Sequence, residues 1–189
     1  MARRREFDEA TVVNQAMELF WRRGYRGATP QALTEATGLS KSSLYATFES
    51  KQGLFLVALE HYIDGQVQVV STVLAEGRLR RGLERMYEAL LGIATTERTC
   101  LVCTSTVEAP LEDAAVAALV RRGHEAIEQV LFERLVRAQT EGDLDAGRDP
   151  RVLARFIVTN NMGLMVSARV NPDLAALREV AAEVVRAVC

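Results

Sequence analysis

Between Thr29 and Phe48 the chain has room for two short helices and one tight turn, and the residues at each boundary say where they fall. Thr29-Pro30 opens the first of them, because threonine is a good N-cap and proline is tolerated best at the first helical position. Leu33 and Ala36 supply its buried side, and Gly38 stops it. Ser40 caps another helix only two residues later, with Leu39 and Leu44 at the spacing of a hydrophobic staple. Within Lys41-Ser42-Ser43-Leu44-Tyr45-Ala46-Thr47-Phe48, Leu44 and Phe48 stand four apart and point inward. Ser50 caps a fourth helix that begins at Lys51. An earlier helix leads in: Asp8 caps it, and Phe7 staples onto Val12. Val13, Ala16, Met17 and Phe20 form its core stripe, and Gly24 ends it. Two short helices joined by a tight glycine-containing turn form a helix-turn-helix, whose second helix fits the DNA major groove.

The outward residues of that second helix suit this use. Lys41, Ser42, Ser43 and Thr47 are small donors and one cation, which allow close approach to base edges. Thr29, Tyr45 and Lys51 are placed for phosphate oxygens, and the helix N-termini at Thr29 and Ser50 add backbone donors. Charge agrees. Residues 1–53 carry eight basic and six acidic groups, net +2, which leaves −4 for the remainder of a chain whose overall charge is −2. Both lysines lie in this head. A basic head on an acidic body fits a polyanion at one end only. Arg3, Arg4 and Arg5 read either as an arm on phosphates or as a solvated terminus. Trp21 reads as packed against the head rather than as a base-stacking residue.

From Leu54 onward the apolar spacing stays helical. Phe55, Leu59, Tyr62, Ile63 and Val70 carry the fourth helix towards Gly77, and Leu83 to Leu91 mark a fifth. Cys100 to Glu108 is a short apolar segment closed by Pro110. Ala115 to Thr140 is a long helix ending at Gly142, and Asp149-Pro150 opens the next, which runs to about Val170. Leu177, Val180, Ala181, Val184 and Val188 stripe the last. Strand alternation is absent, so the fold reads as all-α with about nine helices. Phe156, Ile157, Met162, Leu164, Met165 and Val166 lie on several faces of one helix, which therefore needs cover on several sides. A second subunit is the simplest cover, and a two-fold dimer also reads two DNA half-sites. No run approaches the ~18 apolar residues of a membrane span, and the basic N-terminus lacks the apolar core of a signal peptide, so the expectation is a cytoplasmic protein without a membrane partner. Three cysteines, Cys100, Cys103 and Cys189, form no even disulfide framework, in keeping with a reducing compartment. Phosphate-cradling glycine loops, His-Glu-x-x-His and Gly-x-Ser-x-Gly are not found, so the chain does not read as an enzyme, and neither a cofactor nor a metal is expected.

Ala16-Met17-Glu18-Leu19-Phe20, Gly24-Tyr25, Thr29, Gly38-Leu39-Ser40-Lys41, Leu44-Tyr45, Phe48, Lys51 and Leu54-Phe55 together closely resemble the signature of the tetracycline-repressor (TetR) family. The resemblance covers roughly residues 8–55. It departs at Thr34, where alanine is common, and at Gln52-Gly53, where an acidic residue often opens the fourth helix. The expected effect is a weaker start to that helix, without change to the reading helix. The resemblance implies a DNA-binding domain over residues 1–53 and a ligand-binding and dimerisation domain over 54–189. It implies a homodimer built on the last two helices, a double-stranded palindromic operator, and repression relieved by a small-molecule effector of unknown identity held among the middle helices. Polar or soft groups within apolar stripes are the candidates to line that pocket: Tyr62, Gln66, Tyr87, Cys103, Thr104, Glu108, Phe132 and Asn161.

Cys100 and Cys103 admit a second use. Three apart, they share a helical face, as a redox- or electrophile-sensing repressor would require. Plain packing is the ordinary role of such thiols. A metal site would need further ligands, and His61 and His124 are single residues far apart in sequence.

Overall fold

In the computed structural model, which describes residues 8–94, 100–108 and 113–189, every regular element is an α-helix. Nine helices occur among these residues. They are α1 (Glu9–Gly27), α2 (Pro30–Thr37), α3 (Lys41–Phe48), α4 (Lys51–Ala75), α5 (Leu79–Ala94), α6 (Leu101–Glu108), α7 (Ala114–Glu141), α8 (Pro150–Val170) and α9 (Leu174–Val188). Arg3, Arg4, Arg5, Phe7 and Pro110, named above, lie outside the described residues.

The boundaries follow side-chain chemistry. Asp8, Thr29, Ser40, Ser50, Asp113, Asp149 and Asp173 each sit in extended backbone before a helix and accept an N–H from its first turn. Gly38 closes α2 and Gly142 closes α7, both in the left-handed region at φ 67° and 77°, where a Cβ would be strained. Gly24 interrupts the first helix as expected, with φ 67°, but one further turn follows it to Gly27. On α2 the buried side is Ala32, Leu33 and Thr37, with Ala36 only half-buried; the Thr37 hydroxyl is satisfied by donating to the Leu33 carbonyl at 2.7 Å.

Two apolar cores result. One gathers α1, Leu33, Leu44, Phe48 and the first part of α4 through Ile63, and reaches into the body at Leu101 and Val116. The other joins Leu74 at the end of α4 with the inner faces of α5, α7, α8 and α9. The fourth helix therefore belongs to both. Its first half forms one wall of the head, and its last turn is held by the body. Arg134 on α7, only 5% exposed, donates to the carbonyls of Leu74 and Gly77 at 2.9 Å each, and Arg137 donates to that of Ala75 at 3.1 Å. These are the carbonyls that a helix end leaves without partners.

Candidate nucleic-acid interface

The third helix turns Leu44 and Phe48 into the head core and leaves Lys41, Ser42, Ser43 and Thr47 exposed. Its N-terminus is pre-ordered. The Ser40 hydroxyl accepts from the Ser43 N–H at 3.1 Å and lies 3.0 and 2.9 Å from the hydroxyls of Ser42 and Ser43. The Thr47 hydroxyl donates to the Ser43 carbonyl at 3.3 Å. Three hydroxyls thus crowd one helix end, beside the Lys41 cation and the positive pole of the helix.

The flanking positions differ in kind. Thr29 is exposed at the start of α2, where its hydroxyl accepts from the Ala32 N–H at 3.2 Å. Tyr45 is half-buried against the head core. Lys51 sits in the first turn of α4 with its Nζ 4.4 Å from the centre of the Tyr25 ring, a cation–π contact. Burial pulls its ammonium pKa below the usual lysine value. Tyr25 in turn packs edge-on against Phe55, ring centres 4.8 Å apart, so Lys51 is anchored to the core rather than free on a loop.

Two neighbours of Lys51 gain meaning only in three dimensions. Gln52 donates to the carboxylate of Asp113, the residue that caps α7, and so ties the edge of the head to the body. Gly53 is tightly enclosed: a Cβ there would stand 2.1 Å from the Phe48 carbonyl oxygen, at the end of the reading helix. The expectation of a weaker helix start is corrected here, because the bare Gly53 permits α4 to follow α3 so closely.

Within the body the eight candidate effector residues do not gather in one place. Tyr62 is 5% exposed and lies in the head core, where it meets the edge of Trp21 with ring centres 5.1 Å apart. Trp21 is half-buried in this packing. The Tyr62 hydroxyl also bonds the Cys100 sulfur, which in turn bonds the Cys103 thiol. Cys100 stands just before α6, where the backbone N–H groups of Val102 and Cys103 face its sulfur; the Cys103 thiol is the largest influence that holds Cys100 low, down to about 6. The same bond and burial push Cys103 up, and burial pushes Tyr62 well up. Thr104, half-buried, donates its hydroxyl to the Cys100 carbonyl at 2.9 Å. Gln66 is half-buried on α4, and Glu108 ends α6. Phe132 on α7 packs on the other core and is covered by the Arg151 guanidinium 3.7 Å from its ring centre. Tyr87 on α5 belongs to that core too, and Asn161 lies on α8. The Tyr87 hydroxyl and the Asn161 side-chain oxygen are buried without partners among the described residues.

The Trp21–Tyr62–Cys100 junction, Gln52–Asp113 and the Arg134 grip escape sequence reading, since each joins residues distant in the chain. Among the described residues no helix is long and apolar enough to cross a membrane, and no group of three or more His, Cys, Asp or Glu gathers as metal ligands.

Comparison with known proteins bears on both halves. Residues 12–58 match the family model for bacterial regulatory proteins, tetR family, and residues 75–184 match that for the tetracyclin repressor-like C-terminal domain. The chain is 29% identical over 184 residues to the uncharacterized HTH-type transcriptional regulator YezE of Bacillus subtilis (strain 168), covering 95% of each. It is 28% identical over 185 residues to the HTH-type transcriptional repressor ComR of Escherichia coli (strain K12), covering 95% of this chain and 88% of ComR. A cysteine mutant of the TetR family transcriptional regulator CifR, solved in complex with 26bp double-strand operator DNA, superposes with a TM-score of 0.86 at 33% identity over 100% of both chains.

Proposed function

Because the chain belongs to the TetR family of DNA-binding transcriptional regulators, we propose that it is a repressor that holds a palindromic operator as a homodimer and lets go when a small molecule binds its body. The observation that carries this reading is the α3 face: a cation and three exposed hydroxyls on a helix whose opposite side is locked into the core by Leu44 and Phe48. Residues 1–53 serve as the DNA-binding unit and residues 54–189 as the ligand-binding and dimerisation unit. Lys41, Ser42, Ser43 and Thr47 face bases, and Thr29, Tyr45 and Lys51 hold phosphates. The cytoplasm is the compartment this work requires. Effector release is a population shift, so the effector must favour the non-binding state by the free energy that separates the two operator affinities. Among the eight candidate residues, Tyr87 and Asn161 each offer a buried polar atom that a ligand would satisfy.

Selection from random duplexes tests the DNA reading without knowledge of the operator. The expected product is a palindrome whose affinity falls linearly with salt on logarithmic axes. Lys41→Ala should weaken binding and alter sequence preference, whereas Tyr45→Phe should weaken it about equally across sequences. If no duplex is retained even at low salt, the regulator reading fails.

One observation favours a second mode of release. Cys100 and Cys103 are bonded to each other and, through Tyr62, to Trp21 of the first helix of the head. A Cys100 thiolate would attack a peroxide oxygen and expel hydroxide or alkoxide; Cys103 would then displace hydroxide from the sulfenic acid and close a disulfide. Peroxide should release operator DNA from the parent protein but not from Cys100→Ser, and dithiothreitol should restore binding. Equal release from both proteins would reject this mode and leave the effector reading standing.

A further inference from the structure

A cleft of about 310 Å³ opens between α5 and α9, at the small end of the range for small-molecule sites. Leu91, Leu174, Ala181 and Val185 give it apolar walls. Tyr87 lines it, is only 3% exposed, and has a hydroxyl without a partner among the described residues. A buried hydroxyl left in this state costs stability, and a ligand atom in the cleft would relieve it. Gly92 keeps the wall open, since a Cβ built there meets nothing within 4 Å.

Charge decides what class of ligand fits. Glu84 and Glu88 stand one turn apart on α5 and are exposed along the cleft, a like-charge spacing that repels. Neither ion-pairs with another described residue, nor does Arg178 on the facing helix. Two carboxylates against one guanidinium favour one cationic group. The single guanidinium disfavours a ligand with a second cationic end.

We propose that this cleft binds a small amphipathic monoamine. Its hydrocarbon body lies on Leu91, Leu174, Ala181 and Val185, its ammonium donates to Glu84 and Glu88, and a polar atom meets the Tyr87 hydroxyl. The inference goes beyond the effector reading, because it concerns capture of the ligand and stands whether or not capture alters operator affinity.

Calorimetric titration with 2-phenylethylamine, 3-phenylpropanoate and spermidine tests it on the full-length protein. The amine should bind most tightly of the three. Its affinity should fall about tenfold in the double variant Glu84→Gln/Glu88→Gln, in keeping with the loss of one charge-assisted contact. Gly92→Leu, which fills the cleft, should abolish binding. Operator affinity without probe, read on the same samples, should be unchanged in both variants, so failure of the DNA reading is seen separately. The double variant alters only exposed side chains and keeps the test decisive if Gly92→Leu misfolds. Tighter binding of 3-phenylpropanoate or spermidine, equal amine affinity in the double variant, or no binding of the amine at about 10 mM would overturn the proposal.

Discussion

Gly53 marks where a side chain has no room in the head, since its Cβ would press on the Phe48 carbonyl oxygen at 2.1 Å. The obstacle is backbone, so it cannot rotate away, and relief requires α4 to slide from α3. Alanine is the better helix former by about 1 kcal/mol, which would predict a gain at an open helix position. Overpacking against fixed backbone costs about 1–3 kcal/mol and should win. Gly53→Ala is therefore expected to lower the urea midpoint and to weaken operator binding, because Lys51 shifts along with the helix start. An unchanged midpoint would show that the helix start gives way without cost. Cys100 offers a second test at this scale. The Cys103 thiol, two helical N–H groups and the Tyr62 hydroxyl all bond its sulfur and favour the thiolate over the thiol. Its alkylation by iodoacetamide, followed by peptide mass mapping, should be half-maximal near pH 6 in the parent protein. In Cys103→Ala the largest of these influences is gone, so the midpoint should move up towards the ordinary thiol range near ~8.5. A midpoint that stays put would mean that Cys103 does not support the thiolate.

At the scale of elements, α4 is the part on which the molecule turns, because each of its ends is fixed by a different body. Its first turn is tied by Gln52 to Asp113 of α7. Its middle packs so closely that a Cβ at Gly123 of α7 would lie 3.1 Å from Ile63, and Arg122 bridges Glu60 and Asp64 at 2.7 and 3.2 Å. Its last carbonyls are held by Arg134 and Arg137. These two arginines should differ sharply when removed. Arg134→Met leaves two carbonyls without their donor in a buried setting and is expected to cost about 2–4 kcal/mol in urea unfolding. Arg137→Ala removes a half-exposed donor and an i,i+4 pair with Glu141, a loss below about 1 kcal/mol. Equal effects would show that burial of Arg134 carries no weight. The contrast also explains what the sequence could and could not convey. Thr29-Pro30, Gly38, Ser40 and Asp149-Pro150 act within a few residues of themselves, so the helix boundaries and the exposed face of α3 were legible. Arg134 meets Leu74 across 60 residues of chain, and an arginine on a long charged helix reads as solvated. Gly53 read as a blemish for the same reason: its partner, Phe48, is close in sequence, but the clash exists only once α3 and α4 are placed. Glu84, Glu88 and Arg178 likewise read as solvent-facing until α5 and α9 are set side by side.

For the whole molecule, the question is what covers α8. Ile157, Leu164 and Met165 are buried within the subunit, yet Val152, Phe156, Val166 and Val170 are exposed on the same helix, Val170 to 80%, and Val180 is exposed on α9. Their spacing of about one turn places the four α8 residues along one stripe. One exposed valine needs no explanation, but a stripe of apolar side chains on a helix already buried on its other face does. A second copy related by a two-fold axis would cover it with the same stripe, and it would also set two α3 helices to read two half-sites. Val166→Glu distinguishes this from a merely greasy surface. The residue is 56% exposed in the single chain, so a carboxylate there is hydrated and helix content should be retained by circular dichroism. In the dimer the same carboxylate would be buried against apolar neighbours at a cost of several kcal/mol. Light scattering should therefore find the parent protein at twice 20.9 kDa and the variant at 20.9 kDa. The variant should keep weak binding to a half-site but lose about 100-fold or more on the full palindrome, because the second reading helix no longer arrives at high effective concentration. A parent protein that is monomeric at micromolar concentration, or a variant that stays dimeric, would place the two-fold contact elsewhere or remove it. A monomeric variant with undiminished palindrome affinity would separate DNA recognition from assembly altogether.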